Sequence, residues 1–520
     1  MKNKLLFSWL TIFSLSLSAQ TSIQVSGDVS GTWSADTVNV IDHIKVPLGA
    51  DLIINPGVIV HFQGFYGLSV YGSIRAIGTE SDSILFTAAD TAGFSNLFVN
   101  EGGWKSIFIK SNNEQSDSSV FEYCRFEYAK TDTTTKSGGA MHVEGFSKLR
   151  ISNCTFSNNR AFLHAGAIYL LNSKAKIEYN AFVLNHGGSE DFWGYGGAIH
   201  GFNSEVDLFW NHFHSNTSTG MGGACTFEGI APSCIHNTFE SNFSALGGAL
   251  GVLRAPIGGN IINNLFNNNS VTFFGGAVTL LASSPSFVNN TVINGKSMYG
   301  GGIYFNEGSA SMILNCIFWN NRAEAGYSHQ VFVFDALSTP KFMNGIYEGG
   351  VADFGGGEYP GVYLDCNEEE PLFVETGENP FALLQNSPGV DGGLSDMTGF
   401  MMPEVDLAGN PRISNARIDM GAFEYQAIGN IGNINNNRNG LISWYNSATN
   451  EICLKIGQPM QLNSPLTIVS AKGEIVAQYN VLEMDGKRII TVPNHLPVGV
   501  YFASMTINGQ IISDRFVVTP

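Results

Sequence analysis

The chain has 520 residues, more than one compact domain usually holds, so it is read as several domains or as one elongated array. With 60 glycines, 37 phenylalanines and only 13% charged residues, it is rich in turns and aromatic core and poor in the residues that build exposed helices. An all-β array is expected, and a net charge of −18 with 26 Lys+Arg excludes nucleic acid and anionic membranes as partners.

Residues 1–19 carry Lys2 and Lys4, an apolar run from Leu5 and small residues up to Ala19, the pattern of a signal peptide. No later stretch reaches the ~20 apolar residues of a spanning helix, so no transmembrane segment is expected after signal removal. The expected product is exported, either soluble or attached by other means. Residues 20–137 are read as an N-terminal cap with the first coils of the array.

From residue 138 the text repeats. G-G-A plus an apolar residue, or a close variant, begins at Gly138, Ala165, Gly196, Gly222, Gly247, Gly275 and Gly300, with spacings of 27, 31, 26, 25, 28 and 25. Later in each unit comes a Phe, at Phe156, Phe182, Phe213, Phe239, Phe266 and Phe318, with Val292 in its place once. Aligned units give apolar columns through Ile168, Ile199 and Cys225, and through Ile177, Leu208 and Cys234. Three short inward-facing strands per unit are predicted, stacked ~4.8 Å apart so that neighbouring coils share a core. The fold expected is all-β, a right-handed parallel β-helix over 138–326 continuing through last coils and a closing segment at 327–427.

Two polar columns fit this plan. Asn180, Asn211, Asn237, Asn264 and Asn290 stand two residues before the Phe position, with Cys124, Cys154 and Cys316 in the same slot. Asn159, Asn185, Asn216, Asn242, Asn269 and Asn321 form another column, broken at Gly295. Asn at a bend can bond the amide of the next coil and the turn backbone, making a ladder. The chain has 7 cysteines, an odd number, and five of them fall in interior columns, so they are read as packing groups and not as a disulfide scaffold.

The paired GGAI and FxxN motifs resemble the repeat of polymorphic outer-membrane proteins within the parallel β-helix superfamily, over roughly residues 138–326. DLIINPGVIVHFQGFYGLSVYGSIRAIGT upstream is similar to the opening coils of exported bacterial β-helix proteins, and VDLAGNPRISNARIDMGAFEY downstream to their closing segment. There Arg412, Asp419 and Glu424 are read as a structural charge grouping.

Residues 428–440 are Gly/Asn-rich without apolar periodicity, a linker. From 441 to 520, alternating segments between turn signals predict a small C-terminal β-sandwich of about seven strands. LPVGVYFASMTINGQ and RFVV resemble the C-terminal sorting domain of the type IX secretion system. That resemblance implies the type IX secretion machinery as a partner and a final place in the medium or attached to the outer-membrane surface.

β-Helices host pectin, alginate and chondroitin lyases and polygalacturonases, but fold alone does not assign activity. A lyase needs a base and cations beside a uronate, and the Lys and Arg residues of 138–326 gather into no single column. A hydrolase of the polygalacturonase kind needs paired carboxylates, and neither D-D nor G-H-G occurs. The most economical reading is a non-catalytic adhesion or glycan-binding protein with extracellular polysaccharide as a possible partner; the alternative is a polysaccharide lyase or glycoside hydrolase.

Two candidate sites remain. If Phe213 points inward, His212 and His214 point outward, and the next coil sets Glu240 beside His214. His212, His214 and Glu240 are thus candidate metal ligands, and His214 with Glu240 candidate catalytic groups. The long loop HGGSEDFWGYGG offers Glu190, Asp191, Phe192, Trp193 and Tyr195 as candidate ligand-binding residues, beside loop aromatics Phe162, Phe243, Phe273, Phe274 and Tyr299. No cofactor is assigned: the acidic run 365–370 has the spacing of no calcium loop and is read as a solvated charge run, and neither calcium nor a transition metal has further support.

Overall fold

The computed structural model describes residues 21–110, 118–256, 258–357, 359, 361–394, 396–414 and 417–426, and separate strands beyond 440. Two units divide at Met1–Gln426 and Ala427–Pro520. The expected signal peptide, 1–19, and linker, 428–440, lie outside the described residues.

The first unit is a right-handed parallel β-helix. One coil runs through the strands Ile168–Leu171, Lys174–Glu178, Ala181–Val183 and His186–Gly187. Each pairs in parallel with its counterpart in the next coil, Ile199–Phe202, Glu205–Phe209, His212–His214 and Thr217–Ser218. The second face stacks 13 strands, from Gly31–Trp33 to Val362–Leu364. A fourth strand, present in seven successive coils and forming a face of 7 strands, corrects the three strands per unit predicted from the columns. Most of these strands are two residues long, too short to show any alternation.

Corners are made by a recurring device. A residue in the left-handed region is followed by an inward polar residue: Asn172 (φ 49°) before Ser173, Tyr179 (φ 58°) before Asn180, Leu184 (φ 56°) before Asn185. The inward residues build ladders. Asn180, Asn211 and Asn237 each donate both backbone N–H and Nδ2–H to Oδ1 of the next Asn, at 2.8–3.1 Å. The column from Asn159 to Asn269 does the same. Cys154 takes the slot at one end and donates its N–H to Asn180 Oδ1 at 2.8 Å, and Cys316 at the other end accepts from Asn290 N–H at 3.4 Å. A third ladder of serines, Ser283 to Ser309 to Ser338, lies at the first corner. The buried amides that the ladders link thereby keep a partner.

The G-G-A motif has two separate causes. Its first position has positive φ, 68° at Gly196 and 66° at Gly222. At the second, a Cβ on Gly197 would stand 1.9 Å from Gly223 O in the next coil, which only glycine avoids.

The core is a column of parallel rings. Phe126, Phe156, Phe182, Phe213, Phe239 and Phe266 stack at 4.6–4.9 Å with interplanar angles of 12° or less. Where Val292 replaces the next ring, Phe287 from the adjoining face enters the gap, 5.9 Å from Phe266 and 6.1 Å from Phe318. Cys124, Cys154, Cys225, Cys234 and Cys316 are buried and unbridged, as their columns imply.

Residues 371–426 leave the coil path and run back along the outside as a strap. It covers outward apolar groups on either side of the corner between the second and third strands: Ile235, Ile262, Val288 and Leu314 at the end of the second strand beneath Leu394, Met397 and Phe400, and Leu265 and Ile293 on the third strand beneath Phe423. Asn289 Nδ2 donates to Asp419 O at 2.7 Å, and Ala422 N to Thr291 Oγ1 at 3.0 Å. Arg412, Asp419 and Glu424 are all buried within the strap, where Arg412 Nη1 lies 3.8 Å from Glu424 Oε2.

The second unit has two antiparallel sheets. One holds Leu441–Asn446, Glu451–Ile456 and Ile489–Pro493; the other holds Ile475–Tyr479, Leu466–Ser470, Gly499–Ile507 and Gln510–Val518. Leu466, Ile468, Ala503 and Val518 are buried in the second sheet. Seven strands in two sheets is the small sandwich expected.

Candidate functional site

The corner between the second and third strands carries one outward side chain per coil, because the ladder residue after it points in. Tyr123, Asn153, Tyr179, Trp210 and His236 occupy this position, all with positive φ. The Tyr179 and Trp210 rings lie 6.3 Å apart at 6°, and Trp210 lies 4.2 Å from His236 at 27°. Tyr179 is 55% exposed and His236 4%, so the row descends from open surface to a covered end. The covered end is the strap, where Val405 O lies 2.9 Å from His236 Nε2. Burial lowers the His236 pKa to about 4, and the Arg412 charge pushes the same way.

Two concave spaces follow this line. A groove of about 530 Å³ is lined by Glu80, Tyr123, Arg125, Asn153, Tyr179 and Trp210, among others. A cavity of about 510 Å³ lies where Trp210, His212, His236 and Glu240 on the coils meet Glu378, Pro380 and Phe381 on the strap. Several cations nearby are tied to carboxylates. Arg150 and Lys176 lie 3.7 and 2.7 Å from Glu178, Lys174 lies 2.9 Å from Glu205, and Arg125 pairs with Glu127.

His212 and His214 point outward on either side of buried Phe213, and parallel pairing sets His212 opposite Thr238 and His214 opposite Glu240. His214 Nδ1 is 3.5 Å from Glu240 Oε2, and the two imidazoles are nearly parallel at 5.8 Å. Burial holds the His212 pKa below its ordinary value, opposed by the Glu240 charge. Among the described residues, His212, His214 and Glu240 are the one group of three or more His, Cys, Asp or Glu residues close enough to share an ion, and the acidic run 365–370 forms none.

The long loop is placed differently. Glu190, Asp191, Phe192 and Trp193 are exposed, and Phe192 N–H closes a turn on Ser189 O at 3.2 Å. Phe192 lies against buried Phe162 at 5.4 Å. Thr219 of the next coil pins the loop, donating to Phe192 O and accepting from Gly194 N, both at 2.7 Å. Tyr195 stacks on His164 at 5.2 Å, and both cover His200, which is 1% exposed. Phe274 and Tyr299 join Tyr304 and Phe332 in a similar cover. The loop aromatics are therefore mainly a lid over the first face. Phe192, Trp193, Phe243 and Phe273 keep 39–56% of their surface in solvent.

Sequence reasoning missed the corner row of Tyr179, Trp210 and His236. Its signal was present, since each residue stands immediately before a member of the Asn ladder.

No family model matches the chain, and no curated protein matches it. Among solved structures, the pectate lyase Pel9A is 13% identical with TM-score 0.22, over 72% of this chain and 89% of that one. ORF18 of Geobacillus virus E2 is 13% identical with TM-score 0.21, over 61% of this chain and 53% of that one. The tailspike protein gp49 of Acinetobacter baumannii bacteriophage Fri1, a capsular polysaccharide depolymerase, is 10% identical with TM-score 0.16, over 90% and 73%. Likeness of this size carries no argument about what this chain does. Fold and site define an all-β parallel β-helix with an aromatic groove along one corner.

Proposed function

We propose that the chain is an exported β-helix protein that holds extracellular polysaccharide along the corner groove without turning it over. The observation that carries the reading is the pair Tyr179 and Trp210, near-parallel rings that line an open groove together with Tyr123. A pyranose ring has an apolar C–H face that stacks on an aromatic ring, while its hydroxyls need polar neighbours such as Asn153, Arg125 and Glu80. A groove that repeats once per coil suits a polymer that repeats once per sugar. The pairing of Arg125, Arg150, Lys174 and Lys176 with carboxylates speaks against a lyase, whose base and uronate-neutralising cations must be free to act. Export rests on the pattern of residues 1–19, and delivery by the type IX secretion machinery on the resemblance of residues 496–518. On this reading the product is in the medium or attached to the outer-membrane surface.

A second reading, a glycoside hydrolase, is favoured by one observation: Glu240 and Glu378 line the same cavity. Two carboxylates across a sugar-sized space are the equipment of glycoside hydrolysis. Incubating the chain with a panel of bacterial and plant polysaccharides separates the readings. Retention without new reducing ends supports binding. Release that is lost in Glu240→Gln supports hydrolysis, and failure to retain or cleave any polysaccharide removes both.

A further inference from the structure

We infer that His212, His214 and Glu240 form a site for a divalent transition metal of the zinc type, with one coordination position open to the cavity beside Trp210. Strand alternation forces the two imidazoles outward together, since Phe213 between them belongs to the ring column. The parallel register then brings the carboxylate of the next coil alongside. The three ligand atoms lie within 4.8 Å of one another. A four-coordinate ion with bonds of ~2.0–2.2 Å holds its ligands roughly 3.4 Å apart. His214 Nδ1 and Glu240 Oε2 are already 3.5 Å apart, and rotation of the exposed His212 ring brings the third atom in.

Two further observations point to an occupant. His214 Nδ1 is shielded from solvent and has no hydrogen-bond partner, a cost that a metal–nitrogen bond would remove. Glu240 is also aimed from behind. Asn267 Nδ2 donates to Glu240 Oε1 at 3.1 Å, Asn294 Nδ2 to Asn267 Oδ1 at 2.9 Å, and Asn320 Nδ2 to Asn294 Oδ1 at 2.6 Å. This chain of amides crosses four coils and turns Oε2 towards His214, as hydrogen-bond donors behind a metal-binding carboxylate fix its orientation. Two nitrogens and one oxygen suit zinc, cobalt, manganese or iron, whereas calcium takes six to eight oxygens. His212 and Glu240 also line the 510 Å³ cavity, so an incoming oxygen ligand, water or a sugar hydroxyl, can complete the shell.

The test uses metal alone and no saccharide, so its outcome is independent of the polysaccharide reading. The full chain is dialysed against micromolar Zn²⁺ and, separately, Co²⁺; retained metal is measured, with the visible spectrum for cobalt. About one equivalent is expected, with a cobalt absorption typical of four-coordinate nitrogen and oxygen ligands. His212→Ala and His214→Ala should each abolish that equivalent while their metal-free melting curves match the unsubstituted chain. Asn267→Leu should keep the site but weaken it about tenfold or more. Absence of retained metal, or retention undiminished in the His212→Ala/His214→Ala double variant, overturns the assignment.

Discussion

Trp210 lies face to face with His236 at 4.2 Å, and this contact is where the open aromatic row passes under the strap. The strap and the groove occupy the same corner of successive coils. Where the second strand ends outward in Ile262, Val288 and Leu314 the chain covers itself, and where the same register position holds Ser152 and Glu178 it leaves the face open.

The strap should therefore be a separable part of the stability. Phe423 is buried against Leu265 and Ile293, so Phe423→Ala should cost about 3–5 kcal/mol if the cavity does not collapse. Limited proteolysis should then cut within 371–426 first, with the coils still protected. Cleavage spread evenly along the chain would contradict this division.

Asn237 sits inside a ladder, where Oδ1 accepts from Asn211 N and Nδ2 while Nδ2 donates to Leu208 O and Asn264 Oδ1. Asn237→Ala leaves several buried groups without partners and should destabilise by roughly 2–4 kcal/mol. Asn237→Cys should be milder, because Cys154 and Cys316 already fill this slot at the ladder ends. Chemical denaturation midpoints of the two variants give the comparison.

Acid should weaken the β-helix through its buried histidines. His164, His186 and His236 are lowered to about 4 by burial, and His200 lies well below its ordinary value for the same reason. A group that the fold keeps neutral binds its proton better when unfolded, so stability falls as pH drops from about 6.5 towards 4. Burial raises Asp419 to about 6 and Glu424 to about 7, and these two work the other way, favouring the folded state as pH falls from 7 towards 4. His142 and His212 are lowered as well, and Asp207 and Asp353 raised, so six histidines stand against four acids and the net is a loss. Melting temperature against pH should decline below 6.5, and His200→Phe should flatten that decline.

The coil was legible because its interior is periodic: Phe182, Phe213 and Phe239 announce one column, Asn180, Asn211 and Asn237 another, and together they set Glu240 beside His214. The strap was not, since it joins residues more than a hundred apart, as His236 to Val405 and Asn289 to Asp419, and has no repeat of its own. The fourth strand was hidden by its length. The aromatic row was overlooked because corner residues vary in type, Tyr123, Asn153, Tyr179, Trp210 and His236, and what they share is a place before the ladder residue and a positive-φ backbone, not a side-chain chemistry.

Calorimetric titration of the chain and its Trp210→Ala variant with an oligosaccharide of a retained polysaccharide tests the groove most directly. The loss of one stacked ring should weaken binding about tenfold, roughly 1.4 kcal/mol, with the coil fold intact by circular dichroism. Equal affinity in the two proteins would place the ligand elsewhere and contradict the account.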